Sequence, residues 1–161
     1  MDLDQIVLFW TSVSFLGYWK FIAILTLLIM AALYRWGSRR DALLFGASLL
    51  LAESITFLAK IFFRHPRPLD GLVPADDPYS FPSGHAMIAV AFYGMVATLI
   101  LRRWPQKKWL RVGVVSALGA LVMLLGASRI ILGVHYPEDV LLGYAFGAVF
   151  WVIFYSATRY T

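Results

Sequence analysis

The sequence predicts an all-α membrane protein, a polytopic bundle of about five transmembrane helices with an N-terminal interfacial helix. Its composition is the first reason: 61% of the 161 residues are hydrophobic, only 14% are charged, and the mean hydropathy is +0.76. This apolar fraction is too high for a soluble core of that size. The apolar residues also form runs long enough to cross a bilayer, separated by short polar turns. One domain over residues 1–161 is expected.

The predicted elements follow from these runs. Residues 3–15 are apolar with scattered polar positions, which predicts a short helix. This helix either lies in the membrane interface, with Trp10 and Trp19 as anchors, or extends the first span through a kink near Gly17. The spans are predicted at residues 19–36, 42–63, 84–103, 109–128 and 138–158. Residues 64–82 hold five of the seven prolines and predict a loop of turns.

The distribution of charge orients this bundle. The first and third connections are basic, and seven of the nine acidic residues lie on the opposite side, which carries the N-terminus, the loop 64–82 and the turn 128–139. Cytoplasmic loops are enriched in Lys and Arg, so we expect the basic turns on the cytoplasmic side and the acidic segments outside. The basic turns then fix topology and contact lipid head groups, and nucleic-acid binding is not expected.

Metal and thiol chemistry are not expected. The chain has no cysteine, which excludes disulfides and thiolate sites. No His or carboxylate cluster has the spacing of a metal site, so neither a metal nor another cofactor is predicted. Asp70, Asp76 and Asp77 lie on the proline-rich loop and are interpreted as solvated turn residues, with binding of a cation as the alternative.

Polar residues from three separate outer segments are expected to meet at one depth. Phe81-Pro82-Ser83-Gly84-His85 precedes the third span and predicts a helix N-terminus, whose free N–H groups suit an anion. The other segments supply the cations Lys60, Arg67 and Arg129 and the pair His135 and Asp139, four residues apart.

This set has a coherent chemical meaning. Cations and a helix N-terminus suit a phosphate and the added charge of its transition state. One histidine can attack phosphorus while Asp139 accepts its other N–H, and the second histidine can protonate the departing oxygen.

Three motifs also resemble the signature of the type-2 phosphatidic acid phosphatase superfamily. They are Lys60-Ile-Phe-Phe-Arg-His-Pro-Arg67-Pro68, then Pro82-Ser83-Gly84-His85, then Ser128-Arg129-Ile-Ile-Leu-Gly-Val-His135-Tyr-Pro-Glu-Asp139. The resemblance implies a metal-independent lipid phosphatase with His135 as the nucleophile that forms a phosphohistidine, Asp139 as its support and His85 as the general acid. It implies that the phosphate is held by Lys60, Arg67, Ser83, Gly84 and Arg129. Many members have six spans, whereas five and an N-terminal segment are predicted here.

The predicted activity is removal of a terminal phosphate from a lipid at the outer, periplasmic face of a bacterial cytoplasmic (inner) membrane. Candidate substrates in this superfamily are undecaprenyl diphosphate, phosphatidylglycerol phosphate, phosphatidic acid and lipid A 1-phosphate, and no residue selects among them. The expected partners are this lipid and the bilayer, with no obligate protein partner evident. The alternative is a non-catalytic lipid-phosphate binder or carrier on the same bundle.

Two further assignments concern residues outside the signature positions. Glu53 lies inside the second span, seven residues before Lys60, and is expected to be buried and paired with a hydroxyl or a cation. Arg64 and His65 lie within the first motif and are assigned to head-group contact.

Overall fold

The computed structural model describes residues 2–36, 38–75 and 77–159. Within them the chain forms six helices: α1 (Leu3–Phe15), α2 (Trp19–Arg35), α3 (Arg39–Phe63), α4 (Gly84–Arg103), α5 (Lys108–Ile131) and α6 (Pro137–Thr158). Five helical stretches are long and apolar enough to cross a membrane, the first of which, Leu3–Arg35, comprises α1 and α2. The predicted all-α fold with five spans and a short helix at residues 3–15 is therefore confirmed.

A break at residues 16–18 separates α1 from α2. The side chain of Asp2 caps α1 by accepting a hydrogen bond from the Gln5 amide, and the helix ends at Phe15. With 13 residues, α1 is about 20 Å long, shorter than the hydrocarbon core of a bilayer. It packs against α5, whereas α2 packs against α3 and α4. The two helices thus have different partners, and α1 does not simply continue the helix of the first span.

Helix α4 lies at the centre of the bundle and contacts α2, α3, α5 and α6. Its closest neighbour is α6, which approaches it through Gly143 and Gly147. A Cβ atom at Gly143 would lie 2.7 Å from the carbonyl oxygen of Ser83, so a larger side chain would push the helices apart. This close approach fixes the start of α4 beside the start of α6.

Two contacts bring three basic segments together at one end of the bundle. Arg102, in the last turn of α4, lies 3.3 Å from the Asp41 carboxylate at the start of α3. Arg40 donates a hydrogen bond to the carbonyl of Ala157 near the end of α6. We call this the basic end. The three motifs lie at the opposite end of the helices, which we call the motif end.

Some helix ends differ from their predicted positions. The predicted second span begins at residue 42, but α3 begins at Arg39, and the fourth extends beyond residue 128 to Ile131. Arg129 therefore lies in the last turn of α5 rather than after the helix. Its side chain is held by the helix and not by a loop.

The loop 64–82 folds back on itself, as the prolines predict. The Ser80 amide donates a 2.8 Å hydrogen bond to the His65 carbonyl, and Pro66 and Tyr79 form an isolated antiparallel bridge. This pairing brings residues 77–80 beside the first motif, so the loop contributes side chains to the site.

Candidate active site

A cavity of about 300 Å³ opens among the three motifs at the motif end. Six of the eight predicted site residues line it: Lys60, Arg67, Gly84, His85, Arg129 and His135. The other two, Ser83 and Asp139, are fully buried close behind this lining. The predicted convergence of separate segments is therefore found in the fold, and both histidines lie on the same side of the bundle.

The turn between α5 and α6 positions His135. Gly133 has a φ of +67°, and a Cβ atom there would lie 3.1 Å from the Cα of Gly71. Leu132 accepts a 2.9 Å hydrogen bond from the Leu72 amide, which ties this turn to the proline-rich loop. The turn ends with His135 buried at the cavity wall, immediately before α6 begins.

The two ring nitrogens of His135 face different partners. Nδ1 lies 3.6 Å from Oδ2 of Asp139, longer than a hydrogen bond but close enough for charge attraction. Nε2 lies 3.2 Å from Nη1 of Arg67. Because a guanidinium can only donate, Nε2 is the acceptor, and the proton of the neutral ring lies on Nδ1 toward Asp139. The Nε2 lone pair is thus directed to the cationic side of the cavity.

Burial lowers the pKa of His135 to about 4. Contact with Asp139 acts in the opposite direction, and the cations Arg67, Arg129 and Lys60 lower the pKa further. At neutral pH the imidazole is therefore uncharged, which is the form that can act as a nucleophile.

Lys60 and Arg67 are bridged by a carboxylate from the loop. Oδ2 of Asp77 lies 2.8 Å from Nζ of Lys60 and 3.1 Å from Nη2 of Arg67. Although partial burial acts to raise the pKa of Asp77, contacts with the two cations and the Tyr79 amide lower it overall, so the group is a carboxylate. The interpretation of Asp77 as a solvated turn residue is wrong, because the loop folds back and brings this carboxylate against Lys60 and Arg67. Asp70 is exposed as predicted, and Asp76 lies outside the described residues.

The junction between α1 and α2 forms another wall of the cavity. A Cβ atom at Gly17 would lie 3.4 Å from Cδ2 of His85 and 3.2 Å from Leu125, so Gly17 allows close packing here. Arg129 donates a 2.6 Å hydrogen bond to the hydroxyl of Ser14. The junction therefore contacts both the second and the third motif. Residues 14–17 were not predicted as part of the site, and none of them carries a recognisable motif.

The N-terminus of α4 also faces the cavity. Ser83 is the N-cap residue, and its amide donates a 3.0 Å hydrogen bond to the carbonyl of Asp139. Its buried hydroxyl has no hydrogen-bond partner among the described residues. Gly84, the first helical residue, lines the cavity next to His85. This arrangement places the unpaired N–H groups of the first turn beside the cations.

A second layer of polar groups lies behind Asp139. Nδ1 of His65 is 2.8 Å from the Ser80 hydroxyl and 3.8 Å from Oδ1 of Asp139. The ring also packs edge-to-face on Tyr136. The sequence assigned His65 to head-group contact and did not reveal this position, which depends on the folding-back of the loop. Arg64, by contrast, is exposed and contacts the carbonyl of Ile61.

Glu53 differs from its predicted environment. Glu53 lines the cavity, and it is exposed rather than buried. Among the described residues it makes neither a hydrogen bond nor an ion pair, and Lys60 attracts its carboxylate only over a longer distance. The helix repeat places Glu53 on roughly the same face as Lys60, but two turns earlier in the helix, which is too far for direct contact.

No group of three or more His, Asp or Glu side chains suited to a metal ion occurs in the described part of the chain.

Comparison with known proteins identifies the family. A family model described as the PAP2 superfamily matches residues 41–161. The chain belongs to this superfamily. Phosphatidylglycerophosphatase B of Bacillus subtilis is 30% identical over 141 residues, which cover 85% of this chain and 68% of that protein. Decaprenylphosphoryl-5-phosphoribose phosphatase of Mycobacterium tuberculosis is 40% identical over 129 residues, covering 78% of this chain and 64% of that protein.

A solved PAP2 structure shares the fold. The crystal structure of a transmembrane PAP2 type phosphatidylglycerolphosphate phosphatase from Bacillus subtilis superposes with a TM-score of 0.90 at 24% identity, covering 99% of this chain and 79% of that one. The chain spans about two thirds of the length of the two curated relatives. The predicted family and the predicted class, a membrane lipid phosphatase of this superfamily, are confirmed.

Proposed function

We propose that this chain hydrolyses the terminal phosphate of a membrane lipid through a phosphohistidine on His135, without a metal ion. One observation carries the proposal. The acceptor nitrogen of a neutral, buried imidazole faces a cavity lined by three cations and a helix N-terminus, while its other nitrogen faces a carboxylate. This arrangement suits a nucleophile directed at a phosphorus atom.

In the first step, Nε2 of His135 forms a bond to phosphorus as the bond from phosphorus to the lipid oxygen breaks. Protonated His85 gives its proton to that oxygen, so the lipid leaves as an alcohol, or as a lipid phosphate if the substrate is a diphosphate. Lys60, Arg67, Arg129, the Ser83 hydroxyl and the Gly84 amide bind the phosphoryl oxygens. Asp139 faces the Nδ1–H group and offsets the positive charge that develops on the ring.

In the second step, water attacks phosphorus and the nitrogen–phosphorus bond breaks. His85, now neutral, takes a proton from the water, so inorganic phosphate is released and both histidines return to their starting states. Neither step needs a cofactor, since the cations supply the charge stabilisation that a metal would otherwise provide.

The substrate is a lipid phosphate, and several head groups fit the proposal. The relatives are named as phosphatases that act on a glycerolipid and on a polyprenyl lipid. Phosphatidylglycerol phosphate, phosphatidic acid, undecaprenyl diphosphate and lipid A 1-phosphate are therefore all candidate substrates. The positive-inside rule places the basic end in the cytoplasm. On that basis we place the cavity at the periplasmic face of the inner membrane.

Phosphate release from a panel of these lipids, measured in detergent with excess chelator, tests the proposal. Wild-type protein should release phosphate from at least one lipid, and His135→Asn should lose at least about a thousandfold of this activity because the nucleophile is gone. A phosphoprotein trapped by acid-free quenching should be base-stable and absent from His135→Asn. Thermal stability of each variant checks that it is folded.

Asp70→Asn is the matched control, since Asp70 is exposed on the loop and outside the cavity. It should keep wild-type activity. A strict requirement for Mg²⁺ or Zn²⁺ would contradict the mechanism. Tight lipid-phosphate binding without turnover by the folded wild-type protein would favour the binder or carrier instead.

A further inference from the structure

In the bridge that Asp77 forms, the acid is more exposed than the two cations that it joins. The side chains of Lys60 and Arg67 are each only 13% exposed, whereas the carboxylate between them is 39% exposed. The cations thus lie inside the cavity, and the acid lies at its rim. A carboxylate in this position occupies the cationic groups that the proposed function assigns to phosphate.

The hydrogen bonds of Arg67 show how much of its capacity is already used. Nε donates to the Asp77 carbonyl at 2.7 Å, and Nη2 donates to the Asp77 carboxylate. Nη1 donates to the Val134 carbonyl at 2.7 Å and contacts Nε2 of His135. Of its five N–H donors, four have these partners, so a phosphate can be bound by this guanidinium only if some of them are exchanged.

Resting on the function proposed above, we propose that Asp77 is a positioning residue whose carboxylate holds Lys60 and Arg67 in the phosphate-free enzyme and is displaced by the phosphate of the substrate. The same exchange runs backwards when the product leaves. Asp77 therefore sets how tightly the site binds phosphate, and it favours release of the inorganic phosphate that each turnover produces.

Charge and geometry make this exchange feasible. A phosphate carries more negative charge and more acceptor oxygens than one carboxylate, so it competes effectively for two cations. The backbone of the loop also contacts the cations, through the Asp77 carbonyl on Arg67 and the Tyr79 carbonyl at 3.2 Å from Lys60. These contacts do not involve the carboxylate. A rotation of the Asp77 side chain toward solvent gives up its 3.0 Å hydrogen bond from the Tyr79 amide, while the two carbonyl contacts hold the loop in place.

Binding of inorganic phosphate to detergent-purified protein tests the proposal directly. We expect the dissociation constant measured by calorimetry, and the competitive inhibition constant against the lipid substrate, to fall about tenfold in Asp77→Asn. KM for the lipid should fall with these two constants. Because the product leaves more slowly, kcat should not rise. Asp77→Glu keeps the charge and should bind phosphate more nearly as the wild type does.

Asp70→Asn serves as the control, since it removes the same charge from the same loop without contact to the cavity, and its phosphate affinity should match that of the wild type. If Asp77→Asn does not yield folded protein, Asp77→Ser answers the same question. Equal or weaker phosphate binding in the folded variant would overturn the inference. The two proposals fail separately: calorimetry reports phosphate affinity whether or not any lipid is hydrolysed, and lipid hydrolysis by the wild type stands whatever Asp77→Asn does.

Discussion

At each end of the bundle, one aspartate forms an ion pair with basic side chains. The acid is the less exposed partner at one end, and the cations are the less exposed partners at the other. At the basic end, Asp41 is the buried partner, 11% exposed, and Arg102 is 34% exposed. At the motif end, the cations are the less exposed partners, at 13% each, and Asp77 is 39% exposed. A buried acid with a cation toward solvent links two helices. Buried cations with an acid at the rim leave a positively charged cavity once that acid moves away.

The surroundings of the two ends differ in the same sense. At the basic end, a cavity of about 560 Å³ runs between α4, α5 and α6, and its walls are mostly apolar. At the motif end, the smaller cavity is lined by residues of α2, α3, α4 and α5 and of the segments that connect the helices, including two histidines. Charged groups thus link helices at one end and line a single cavity at the other. The comparison predicts that equivalent substitutions at the two ends have different consequences.

The largest expected difference is between Arg67→Gln and Arg102→Gln. Arg67→Gln should lower kcat/KM about a thousandfold, because a donor to the phosphoryl oxygens is lost. It also removes a charge that lowers the pKa of His135, so the acid limb of the pH–rate profile should move from near pH 4 to higher pH. Arg102→Gln should leave kcat/KM and the acid limb unchanged. An acid limb unmoved in Arg67→Gln would show that His135 is not the titrating group.

A smaller effect is expected from Asp139→Asn. We expect kcat to fall roughly a hundredfold, because the ring of His135 loses the carboxylate that orients it and offsets its charge. Since contact with Asp139 raises the pKa of His135, its loss should move the acid limb to lower pH, opposite to Arg67→Gln. A pH–rate profile of each variant measures both quantities. Shifts of the same sign in the two variants would contradict the proposed geometry.

The smallest effect is expected from Asp41→Asn, which acts on stability rather than on activity. Loss of the pair with Arg102 should destabilise the fold by about 1 kcal/mol, because Arg102 is partly exposed and the interaction is screened. A thermal melt in detergent should show a Tm lower by a few degrees, with kcat unchanged. Asp70→Asn, on the exposed loop, should leave the Tm where it is. A large loss of activity at an unchanged Tm would remove the distinction between the two ends.

Much of the molecule could be predicted from local patterns. Long apolar runs bounded by polar turns predicted the spans. In lipid, a segment of this length forms a helix because its backbone N–H and C=O groups must hydrogen-bond to one another. Pro82 and Ser83 predicted the start of α4, which begins at Gly84. The three motifs indicated which residues would surround the cavity, since each lies at a helix end and consecutive spans run in opposite directions.

Residues whose roles depend on distant partners could not be predicted in this way. Asp77 is one of three acidic residues on a proline-rich loop, and its sequence neighbours do not distinguish it from Asp70. His65 was assigned to head groups, because nothing local shows that Ser80 and Asp139 lie beside it. Glu53 was expected to be buried and paired, but it is exposed on the cavity wall, and its neighbours there come from other segments of the chain.

The sequence by itself determined the class of protein, its spans and the residues of the three motifs, because helix formation in a membrane and motif spacing are encoded over short stretches of chain. The tertiary structure alone decided that Asp77 bridges Lys60 and Arg67, that the junction of α1 and α2 packs on His85, and that Arg102 pairs with Asp41. Each of these contacts joins residues from different segments, and its formation depends on how loops and helices pack once the bundle has assembled.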